Sequence, residues 1–151
     1  MNLPKDFEEY LKTGIIKKSS PDIRRAEFLV QETLKALNGL NERLELVGIN
    51  ENNANSIIKD CHDILLELIR AKLLISGYNS SGQFSHEAEV AYLKVLKFPD
   101  TEIAFMNDLR YYRNGALYYG KTSNSEYALK VVEFTKKMQP KLMRLLKNSV
   151  N

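Results

Sequence analysis

The chain has a single cysteine, Cys61, and only two histidines, His62 and His86. One thiol excludes an intramolecular disulfide and a cysteine-based metal cluster, and points to a reducing compartment. Neither histidine has a histidine or carboxylate partner at a recognised ligand spacing, and the Glu-x-x-His pairs of a di-iron bundle are missing. No metal and no cofactor is therefore expected. The scattered glycines build neither a G-x-G-x-x-G nor a Walker sequence, so nothing supports a dehydrogenase or a P-loop ATPase. No apolar run approaches the roughly 20 residues that span a bilayer. The opening MNLPKDFEEYLK is acidic and amphipathic and lacks a signal peptide's apolar centre. The expected location is the cytoplasm, with no membrane partner. Period-two alternation never lasts long enough to announce a strand.

What remains is helical. With 151 residues, 44% of them hydrophobic, the chain can bury the core of one domain. Its net charge of +3 is mild, but Lys12–Lys18, Arg24 with Arg25, and Lys136–Lys147 concentrate the positive residues. Such clusters make a solvated surface or meet an anionic partner. Ser20-Pro21 predicts a helix start, and apolar residues from Ile23 to Leu44 at spacings of three and four carry the helix to about Val47. Asn50–Asn53 offers caps for a second long helix ending at Gly77. Its apolar residues cover more than one stripe, so it is expected at the centre. Tyr78–Ser85 reads as a loop, and Ser85 caps a short helix through about Lys97. A helix from Asp100 or Thr101 runs towards Tyr118-Tyr119-Gly120. Ser123 with Glu126 forms a capping box for a last long helix, kinked or divided at Pro140. Cys61 lies on an apolar stripe as a small core residue, and His62 beside it is expected to be exposed or satisfied. The predicted fold is an all-α, up-down bundle of four to five core helices (20–151). A short N-terminal helical extension (1–19) is expected to pack on its outside.

Leu109–Lys121, LRYYRNGALYYGK, stands apart. A buried helix end does not need Arg110, Arg113 and Asn114 among four tyrosines, because buried unpaired charge is expensive. A site that grips phosphate or a nucleobase does: guanidinium forks meet phosphate oxygens, and tyrosines offer stacking faces and hydroxyls. The structural alternative packs Tyr112, Ala116 and Tyr119 inward while the polar side chains bond to helix ends and to carboxylates such as Asp108.

Three stretches resemble the HEPN superfamily of small helical bundles. Pro21–Leu37 is similar to its opening helix, Ile57–Gly77 to its central helix, and Leu109–Gly120 to its signature segment, an arginine and a polar residue followed four to six residues on by a histidine. With four to six residues between it and Arg113, that histidine would fall at Tyr118, Tyr119 or Gly120, and none of these is histidine. The resemblance implies binding of RNA or a nucleotide through Arg113, Asn114, Arg110, Tyr111 and Tyr119. In active relatives it implies metal-independent RNA cleavage by attack of the 2′-hydroxyl. Tyrosine is a poor base, since a reference pKa near 10 leaves about one part in a thousand ionised at pH 7, a handicap of about 4 kcal/mol. Tyr118 could still donate a proton or a hydrogen bond, and His86 could reach the site from another helix. The resemblance also implies a toxin–antitoxin or nucleotidyltransferase-associated setting, with a homodimer or a minimal nucleotidyltransferase as protein partner. Binding without efficient cleavage leads; a divergent ribonuclease toxin and a dimeric interaction module anchored by Tyr111, Tyr112 and Tyr118 are the alternatives.

Overall fold

A computed structural model describes residues 1–113 and 124–150. Its elements are α1 (Phe7–Lys12), β1 (Ile16–Lys18), α2 (Ile23–Leu46), α3 (Ala54–Ile75), β2 (Tyr78–Ser80), α4 (Ser85–Val95), α5 (Asp100–Arg113) and α6 (Asn124–Val150). With 74% helix against 4% strand, this is the all-α bundle with a short N-terminal helix that the sequence predicts.

The axis of the bundle is α3, which buries thirteen of its residues, from Ala54 to Leu74. It packs most extensively against α6 and α2, so its apolar residues are satisfied on both sides. Ile57, Ile58, Leu65, Leu68 and Ile69 are fully enclosed, each contributing about 1.5–3 kcal/mol of hydrophobic stabilisation. By contrast α2 buries only Ala26, Thr33 and Leu40 and leaves Phe28 exposed. Cys61 is in the core as expected, its thiol pushed up by burial.

Several local features differ from the sequence reading. The N-terminal helix is not an outer appendage: Phe7 and Tyr10 are buried, and the Phe7 ring meets Tyr78 and Tyr92 at 5.2 and 5.0 Å. Two short strands form where a helix end and a loop were expected. Ile16 pairs with Ser80 and Lys18 with Tyr78, antiparallel. Three residues with one buried side chain are too few to leave a period-two signal. The pairing continues through Ser19 N–H to the Gly77 carbonyl at 2.8 Å, and a Cβ at Gly77, whose φ is +83°, would lie 2.9 Å from the Ser19 carbonyl. Only glycine fits there.

The cap of α2 is Asp22, whose carboxylate accepts from Arg25 N–H while its own N–H bonds the Leu74 carbonyl; Ser20-Pro21 lies outside the helix. Asn53 takes the N-cap position of α3 as expected, but its side chain and that of Asn50 bond within the preceding turn and make no cap bond to the helix. Ser85 is the first residue of α4, and Phe84 before it takes the left-handed conformation. Val95, the last residue of α4, is half exposed. Helix α6 runs unbroken through Pro140. The Ser123 cap and the Tyr118–Gly120 stop lie outside the described residues.

Candidate functional site

Four polar side chains interrupt the buried surface of α3 at helical spacing: Asp60, Asp63, Glu67 and Arg70 share one side of the helix. Each is met by a neighbouring element or its own stripe. Asp60 pairs with Arg43 of α2. Arg70 makes a two-pronged bond to Glu89 of α4, Nε to Oε2 at 2.6 Å and Nη2 to Oε1 at 3.1 Å, and Glu89 is fully buried. Burial would lower the Arg70 pKa, but the bond and charge of Glu89, with the charges of Glu67 and Asp63, hold it above the ordinary value. Glu67 is pushed up, chiefly by burial, with Asp63 and Glu32 adding to the effect against Arg70. Beside this stripe lies a groove of about 410 Å³ between α2 and α3, lined by Gly39, Arg43, Asp60, Asp63 and Glu67 among others.

Asp63 is the hinge of the arrangement. One of its oxygens, Oδ1, lies 2.9 Å from His62 Nδ1 and accepts from Arg113 Nε at 3.4 Å. Burial pushes the Asp63 carboxyl up, but the bond from His62 and the charges of His62 and Arg113 hold it below the usual carboxylate range. Arg113 is 38% exposed, and both of its terminal nitrogens are without a partner among the described residues. His62 is buried, not exposed, and its Nε2 has no hydrogen-bond partner among the described residues. His86, in the first turn of α4, is exposed yet close enough to feel this cluster. Desolvation lowers its pKa, with Glu89 and Asp63 opposing and Arg70 and His62 reinforcing the shift.

Arg110 faces inward. It bonds Asn107 Oδ1 at 3.1 Å, lies 3.8 Å from Glu87, and its guanidinium sits 4.4 Å from the centre of the Tyr111 ring. Asn107 in turn donates to the Asn2 carbonyl, so this network also fastens the N-terminal segment. Near it, the Tyr10 hydroxyl is pushed up to about 12, mainly by burial and then by Glu87. The Tyr112 hydroxyl lies 2.7 Å from the side chains of both Asn55 and Asn124, and its ring is 4.7 Å from Tyr127. These placements correspond to the structural alternative for Arg110 and Tyr112. Arg113 is the more exposed of the two arginines, 38% against 11%, and its terminal nitrogens have no partner among the described residues. Asn114, Tyr118 and Tyr119 lie outside the described residues.

Asp63 was visible in the sequence only as a neighbour of His62, and Arg70, Glu89 and Phe84 carried no motif. The signal for the first two was the polar spacing along an otherwise apolar α3. Phe84 is 56% exposed at a φ of +70°, an aromatic face two residues before His86. Among the described residues, no group of three or more His, Cys, Asp or Glu side chains is placed to hold a metal ion, and no helix is long and apolar enough to cross a membrane. Compared with protein-family models, curated proteins and solved structures, the chain matches none.

Proposed function

We propose that the chain is a HEPN-like domain that binds RNA or a nucleotide around Arg113. One observation supports this reading: Asp63 accepts from the Nε of Arg113 while the terminal nitrogens have no partner among the described residues. A guanidinium held on one edge and open on the other is ready to fork onto a phosphate, with less side-chain entropy left to lose. The surrounding carboxylates weaken long-range attraction, so affinity rests on short contacts at Arg113 instead of a broad positive field. Asn114, Tyr111 and Tyr119 supply further bonds and stacking, Arg110 backs Tyr111, and Tyr118 donates to the phosphate. With no histidine at positions 118–120, binding outpaces cleavage, in a toxin–antitoxin or nucleotidyltransferase-associated setting with a homodimer or a minimal nucleotidyltransferase as protein partner.

A second reading, a divergent metal-independent ribonuclease, is favoured by one feature: His86 lies within electrostatic reach of the carboxylate that holds Arg113. Incubation of labelled RNA with the purified protein in EDTA separates the two. Retention of RNA without cleavage, lost in Arg113→Ala, is the expected result. Cleavage abolished by both Arg113→Ala and His86→Ala would establish the ribonuclease. Retention unchanged in Arg113→Ala would sink both.

A further inference from the structure

The basic run of α6 meets the turn between α4 and α5 at the end of α5 remote from Arg113. There a cavity of about 330 Å³ has an apolar floor of Leu96, Phe98 and Leu145, with Lys97, Lys141 and Arg144 around it. The one carboxylate in its lining, Glu102, is nearly enclosed and already neutralised. Lys141 Nζ lies 2.9 and 3.1 Å from its two oxygens, and Lys137 Nζ lies 3.1 Å from one of them. Lys97 and Arg144 form no salt bridge among the described residues, so the cavity carries an excess of cations over an apolar base.

The backbone at Lys97 supplies an independent reason to look here. Helix α4 closes with Lys97 N–H bonded to the Lys94 carbonyl and Phe98 N–H bonded to the Leu93 carbonyl. This double closure places Lys97 at the position that glycine normally fills, and its φ is +67°. A lysine gains something from the helix dipole at this end. The left-handed strain outweighs that gain, and such strain persists where a side chain serves a purpose.

We propose that this corner is a second phosphate site. Lys97 and Arg144 grip the phosphate of a nucleotide or of an RNA backbone, and Phe98 with its apolar neighbours lies under the attached sugar or base. The site is independent of Arg113. The fourteen residues of α5 separate the two by about 20 Å at 1.5 Å per residue, so a single nucleotide cannot bridge them and an RNA strand can.

The test uses the intact protein, a labelled ten-nucleotide RNA followed by anisotropy, and AMP as competitor. Lys97→Gly is expected to raise the melting temperature by about 2–4 °C through relief of strain, yet to weaken RNA binding several-fold. Lys97→Gly and Arg144→Ala should each lower the slope of log affinity against log salt by about one. Displacement of the RNA by AMP in the native protein but not in the variants identifies a nucleotide site; no displacement, with the slopes reduced, identifies a backbone site. Native affinity and slope in both variants would overturn the proposal, as would failure of the native protein to bind either probe. Weaker binding in Lys97→Gly accompanied by a lower melting temperature, with Arg144→Ala unaffected, would overturn it as well.

Discussion

The two ends of α5 solve opposite electrostatic problems. At the Arg113 end carboxylates crowd the cluster, and one of them, Asp63, holds an arginine by a single edge. At the Asp100 end the cations are in excess: two lysines hold the enclosed Glu102, and Lys97 and Arg144 are left over. A positioned but solitary guanidinium favours recognition of one phosphate in a defined place. Surplus ammonium and guanidinium groups over an apolar floor favour attraction with less geometric demand. The two ends of α5 thus lie in opposite electrostatic settings, one rich in carboxylates and one, beside Lys97 and Arg144, rich in cations.

The largest expected effect separates a buried acid from one met by exposed lysines. Glu89→Gln leaves Arg70 without its partner in a mostly buried place, and should lower unfolding free energy by about 3 kcal/mol. Glu102→Gln, whose lysines remain 60% and 36% exposed, should cost about 1 kcal/mol or less. Urea unfolding ranks the two, and equal losses would erase the distinction between the ends. Next, Gly39→Ala should stabilise the protein by about 0.5–1 kcal/mol, because an added Cβ in mid-helix meets nothing within 4 Å. A loss of stability there would mean that the groove beside Asp63 has no room for the added methyl group.

The smallest effect is in acid. Asp63 and Glu102 are both held below ordinary carboxylate values, against the opposing effect of burial. Their contributions are present above the unfolded pKa values near 4 and are lost as the pH falls through the lower folded values. Asp63→Asn, with its side chain 49% exposed, should remove on the order of 0.5 kcal/mol at pH 7, a loss that shrinks as the pH falls below the unfolded carboxylate value. Unfolding curves at pH 7 and in acid check this, and a difference that did not shrink in acid would assign the effect to something other than charge.

Most of the scaffold was legible because helices announce themselves by period. The breadth of apolar coverage from Ile57 to Ile75 placed α3 at the centre, and the Asn-rich and Ser/Gly-rich turns marked its ends. Features decided by contacts across the chain were not legible. The pairing of Ile16 with Ser80 depends on Gly77 and Ser19 meeting, and the burial of Phe7 depends on Tyr78 and Tyr92. Val95 fitted the apolar period of α4 yet is half exposed, because the helix ends there. In the site, Arg113 stood out as a charge among tyrosines. Its holder did not, because Asp63 belongs to a helix 50 positions away in sequence. Arg110 drew equal attention for the same reason as Arg113, but Asn107, Glu87 and Tyr111 already occupy it. Residue type alone gave the two arginines equal weight, and exposure separates them: the Arg110 side chain is 11% exposed and that of Arg113 38%.

The central claim is tested most directly by the affinity of the native protein, Arg113→Ala and Arg113→Lys for a short RNA at fixed salt. Arg113→Ala should weaken binding about tenfold or more, and Arg113→Lys, which keeps the charge but loses the fork, should recover only part of it. Melting temperatures should stay within a few degrees, since the bond to Asp63 is half exposed. Equal affinity in all three proteins would contradict the account.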